Sequence, residues 1–122
     1  MLSDTGYARL RGAGRKLNSR LKAASKSISG GNPAQAYAAL DNALIDFIGD
    51  RLNTETRGMV TEQIVELLSA RKGLDPALID QVRDCLEHFA FARFAPGSNT
   101  VEDARDYLDK VRKLVMRLDR AF

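Results

Sequence analysis

Tryptophan is absent from this chain, and cysteine and histidine occur once each, as Cys85 and His88. A single cysteine excludes an internal disulfide and points to a reducing compartment. A single histidine leaves no set of convergent ligands for a closed zinc site. The two residues stand i and i+3 on one helix, but Cys85 borders an apolar stripe of Leu78, Val82, Leu86 and Phe89. A small buried thiol accounts for it better than a ligand or a nucleophile. No run approaches ~18 consecutive apolar residues, so no segment within the chain reads as a membrane span. The first residues turn polar and basic too soon for a signal peptide, and the expectation is a cytosolic chain.

Strand-like alternation is missing too, and with it any glycine-rich phosphate loop following a strand. Carboxylates such as Glu62, Glu66, Asp80, Asp84 and Glu87 are scattered along helical stretches rather than paired for hydrolysis. Self-similarity at a period of about 34 residues is absent, which argues against a solenoid. No catalytic, metal or cofactor signature remains, and the expectation is a non-enzymatic interaction module.

What is present suits one globular domain. A chain of 122 residues buries roughly two-thirds of its unfolded surface without staples. The net charge of +3 conceals an asymmetry. Residues 1–29 hold seven basic side chains (Arg9, Arg11, Arg15, Lys16, Arg20, Lys22 and Lys26) against the single acid Asp4. The remaining 93 residues hold 12 basic and 15 acidic groups. Such a basic end suits either a polyanionic partner, nucleic acid or lipid headgroups, or simply a solvated helix face.

Periodicity and caps predict an all-α bundle of about five helices. The first spans residues 4–28, with Tyr7, Leu10, Gly14, Leu17, Leu21, Ala24 and Ile28 as a narrow seam and Gly30-Gly31 as its stop. Asn32-Pro33 is a cap-plus-proline start for a second helix, whose apolar face carries Tyr37, Leu40, Leu44, Phe47, Ile48 and Leu52. A short third helix over residues 62–71 has Thr61 as its cap and Val60 with Val65 as a hydrophobic staple. Asp75-Pro76 opens a fourth, which runs to Phe94 before Pro96-Gly97. Thr100 opens the fifth, with a seam of Val101, Ala104, Leu108, Val111, Val115, Leu118 and Phe122. The second, third and fourth helices are expected to form the compact centre of a single domain over residues 1–122, with the long first and fifth packed on it by their seams.

Two residues of the fourth helix break its pattern. Phe91 lies about 180° from Val82, which implies either a central helix packed on both sides, the favoured reading, or an exposed binding spot. Arg93 projects within about 20° of the apolar stripe, so it needs a carboxylate or the helix-end carbonyls as a partner.

The string Ala92-Arg93-Phe94-Ala95-Pro96-Gly97 resembles a segment common in the cytoplasmic C-terminal region of bacterial BatD proteins, the aerotolerance family. Arg20-Leu21-Lys22-Ala23-Ala24 is similar to the arginine-rich stretch that follows that family's membrane helix. Asn32-Pro33 with Ala39-Leu40, Ala43-Leu44, Phe47-Ile48 and Arg51-Leu52 resembles its next helix, and Val60-Thr61 the start of the one after. The resemblance implies a helical cytoplasmic domain beside the inner membrane, preceded in such proteins by a membrane helix and periplasmic β-sandwich domains. It implies as partners a MoxR-type AAA+ ATPase and von Willebrand factor A-domain proteins. It brings no catalytic residue, and it makes Arg93, Phe94, Pro96 and Gly97 structural. Of the seven basic residues, three or four would face an anionic membrane surface, in keeping with positive charge on the cytoplasmic side. The alternative is a nucleic-acid-binding helical domain using the first helix. It is disfavoured because no aromatic beyond Tyr7 interleaves the charges and no helix-turn-helix register is present.

Overall fold

A computed structural model describes the backbone of residues 4–95, 97 and 99–122, and side chains from Gly14 onward. The described residues form a bundle of five helices: α1 (Asp4–Ser29), α2 (Pro33–Leu52), α3 (Thr61–Ser69), α4 (Pro76–Phe94) and α5 (Val101–Ala121). No strand occurs among the described residues.

The caps explain most boundaries. Gly31 sits at φ 76°, and the end of α1 is closed by Gly31 N–H donating to Ile28 O at 3.0 Å and Asn32 N–H to Ser27 O at 2.8 Å. A residue with a Cβ resists that left-handed position, so the glycine stops the helix and turns the chain back along it. The side chains of Asn32, Asp75 and Thr100 each accept from a backbone N–H in the first turn of the next helix. The third helix departs from expectation. Val60, not Thr61, is its N-cap, and Gln63 Oε1 accepts from the Val60 N–H at 2.9 Å. The staple positions therefore move back by one, to Met59 and Ile64, while Val60 stays 63% exposed. This helix also stops two residues sooner than expected, with Ala70 as its C-cap.

The centre belongs to α2 rather than to a trio of helices. It packs on α1, α4 and α5, whereas α3 packs chiefly on α4. Ten of its residues are buried, from Ala36 to Asp50. α1 joins this core through Leu21, Ala24 and Ile28, with Leu17 half-buried. A Cβ at Gly14 would meet nothing within 4 Å, so the expected α1 seam is not packed there, and Tyr7 and Leu10 lie outside the described side chains. α5 buries Ala104, Leu108, Val111, Val115 and Leu118 of its seam, with Val101 and Phe122 half-buried at its ends, and also Tyr107 and Leu114, giving it a wider face than expected. Phe91 is 59% exposed, so α4 is covered on one side only and the favoured reading of that residue is corrected. Among the described residues, no helix is long and apolar enough to cross a membrane.

The connection after α2 folds back onto it. Asn53 takes the left-handed C-cap (φ 52°), Thr54 N–H donates to Gly49 O at 2.9 Å, and the buried Thr56 hydroxyl donates to Ile45 O at 2.9 Å. Only glycine fits at 49: a Cβ there would collide with Thr56 Oγ1 and stand 2.7 Å from Thr54 O. Gly49→Ala is expected to destabilise the domain by about 1–3 kcal/mol, the usual cost of overpacking. Thermal melts of the two proteins check this; an unchanged midpoint would show that the loop yields freely.

Candidate protein-docking groove

The fold-back loop carries Arg57 to Val60 along an open groove between α2, α3 and α4, about 640 Å³ in volume. Its apolar floor comes from Ile45 on α2, Met59 in the loop, Ile64 on α3, and Leu86 and Ala90 on α4. Its rim is charged: Arg20 reaches over from α1, Arg57 from the loop and Arg93 from α4, facing Asp41 and Asp46 of α2. Arg20 and Arg57 both donate to the same oxygen, Asp46 Oδ2, the latter at 3.4 Å, and Arg20 also donates to Asn42 O at 3.0 Å. Arg93 donates to Asp41 Oδ2. Burial pushes the Asp41 carboxyl above its ordinary range, against the opposing pull of the Arg93 guanidinium.

Two basic candidates on α1 are thus engaged with α2. Arg20 is in the groove, and Lys16 pairs with Asp50 at 3.4 Å. Arg15, Lys22 and Lys26 are exposed and form no ion pair with another described residue, while Arg9 and Arg11 lie outside the described side chains. In the family-like segment Arg93 has the carboxylate partner it needs, but Phe94 is 88% exposed and packs no core. Gly97 has open space where a Cβ would be, and Pro96 lies outside the described residues. The structural role expected of Phe94 and Gly97 has no packing to support it. Asn99, which the sequence reading passed over, donates to Ala92 O at 3.2 Å and ties the segment down.

His88 joins a second polar junction. Its Nε2 is 2.8 Å from Asp103 Oδ2, to which Tyr37 Oη also donates, linking α2, α4 and α5. The His88 ring stacks on Tyr107 at 3.9 Å between centroids, with Lys110 Nζ 4.4 Å from the other ring's centroid. The Tyr37 hydrogen bond, then His88, hold the Asp103 carboxyl below its ordinary range. Burial raises the Tyr37 phenol and pushes Tyr107 to about 12 and Cys85 to about 11. Each of these groups is steered away from its anion, the reverse of what nucleophilic catalysis asks of it. Neither junction was visible beforehand, because the partners stand 11 to 66 positions apart.

No family model, curated protein or solved structure matches the chain.

Acid titration separates the two junctions. Arg93→Ala leaves ionised Asp41 without its cation and is expected to cost about 1–2 kcal/mol at neutral pH, between the values for exposed and buried pairs because Arg93 is 61% exposed. Asp41 has a raised folded pKa, higher still without Arg93, so this deficit vanishes as pH falls while still above the ordinary 3.8. Asp103 has a lowered folded pKa, so the stability it contributes is complete above 3.8 and lost only below it. The deficit of Asp103→Asn should therefore persist to more acid pH than that of Arg93→Ala. Denaturant melts from pH 7 to 3 check the order, and its reversal would contradict the environments described. Cys85, buried and protonated, is expected to react with a disulfide reagent at pH 8 at least about tenfold more slowly than free cysteine, and at the free rate once unfolded.

Proposed function

We propose that this domain is a non-enzymatic protein-interaction module whose docking face is the arginine-rimmed groove between α2, α3 and α4. The observation that carries the reading is an open apolar floor inside a rim of three arginines, on a chain in which burial holds Tyr37, Cys85 and Tyr107 protonated. Interface cores are enriched in aromatic residues, methionine and arginine. Met59, Arg57 and Arg93 line the groove. The ordered resemblance to BatD proteins supports a scaffold role on the cytoplasmic side of the inner membrane, in an envelope complex with a MoxR-type ATPase and von Willebrand factor A-domain proteins. Exposed Arg15, Lys22 and Lys26 support an orientation with α1 toward anionic headgroups, at about 1 kcal/mol each when close to the surface.

Purified MoxR-type and von Willebrand factor A-domain proteins from the same genome, titrated against the domain, test the reading. Binding is expected, and Ala90→Lys, which places a charge on the groove floor at an exposed position, should weaken it by at least about tenfold, or 1.4 kcal/mol. Lys22→Ala should leave it unchanged in the absence of membrane. Tight binding of DNA at about 150 mM salt, with neither protein nor anionic vesicles bound, would move the function to nucleic-acid recognition.

A further inference from the structure

We infer that the groove selects an acidic partner segment, one that sets apolar side chains on the floor and a carboxylate against Arg57. The inference rests on the docking reading above and adds the chemistry of the occupant.

Three guanidinium groups line the groove against two carboxylates, and their positions are not equivalent. Arg20 is three-quarters buried and satisfied by Asp46 and the Asn42 carbonyl. Arg57 has only a share of the same Asp46 oxygen, at 3.4 Å, and its side chain is 73% exposed. A guanidinium carries five donors in a planar fork, so most of the capacity of Arg57 is unused. Arg93 is in a similar state, bound to Asp41 on one side and open on the other. Two forks are thus anchored on their inner edge by carboxylates of α2 while their outer edges are free. Ordering an arginine costs side-chain entropy, and the anchor has already met part of that cost before a guest arrives. An incoming carboxylate gains a bidentate, charge-assisted contact, while an incoming ammonium meets an excess of like charge.

The floor decides between an acidic peptide and a nucleic-acid backbone, since both carry anions. Ile45 and Met59 are only half-buried and Ala90 is exposed. A sugar–phosphate chain leaves those groups without apolar partners, and no aromatic side chain lines the groove for a base to stack on. A peptide with leucine-like residues beside a glutamate meets both requirements.

The test uses short, capped peptides built from leucine and glutamate, their glutamine and lysine counterparts, and a short single-stranded DNA. Each is titrated into isotope-labelled domain at about 150 mM salt, where exposed charges are screened beyond about 8 Å. The glutamate peptide is expected to shift the resonances of Ile45, Met59 and Ala90 and to bind at least tenfold more tightly than the glutamine peptide, with the lysine peptide weakest. Arg57→Glu, a change on an exposed loop side chain, should reverse the order of glutamate and lysine peptides, and Arg57→Gln should level it. Equal binding of the three peptides at the groove would overturn the acidic preference and leave the docking reading intact. Peptides that bind away from the groove, or DNA that shifts it in their place, would overturn both.

Discussion

Asp41, Asp46 and Asp50 lie on a helix packed against three others, and their side chains are only 11–15% exposed. A carboxylate removed that far from water is costly unless a cation reaches it. The cations come from every direction: Lys16 and Arg20 from α1, Arg57 from the loop after α2, Arg93 from the end of α4. Neutralising α2 therefore dictates where neighbouring elements place their long side chains. The groove rim is a consequence, because Arg57 and Arg93, which serve Asp46 and Asp41, have their outer halves in solvent.

Two further devices keep that arrangement in register. Gly49 lets the loop lie against α2, with Thr56 buried on the Ile45 carbonyl, so that Arg57 to Val60 are carried to the groove instead of trailing in solvent. Asp103 collects Tyr37 and His88 and fixes α5 to both α2 and α4. The groove is thereby formed by rigid helix faces and one tethered loop. A preformed site of this kind loses little ordering entropy on binding, which suits recognition by complementarity.

Local chemistry made the architecture readable in advance. Gly31, Asn32-Pro33, Asp75-Pro76 and Thr100 act within one turn of the boundary they set, and the three-four spacing of α5 needs no knowledge of its neighbours. Only the short α3 slipped, where a valine cap served by Gln63 replaced the threonine that propensity favours. The site was legible in fragments. Arg93 declared itself by standing beside an apolar stripe, and Arg20 as one of a basic run, but nothing local says that both reach one groove on α2. Phe91 illustrates the other limit: periodicity places a residue on a face, while only packing decides whether that face is covered. His88 shows the same limit, since its partners Tyr37 and Asp103 belong to other helices.

Photo-crosslinking in cells tests the central claim most directly, with the reactive amino acid placed at Thr61 in the groove or at Asp109 on the exposed side of α5. The account expects a protein adduct from position 61 that disappears when Arg57→Glu is added, and none from position 109. Adducts from position 109 alone, or from position 61 with Arg57→Glu making no difference, would contradict it.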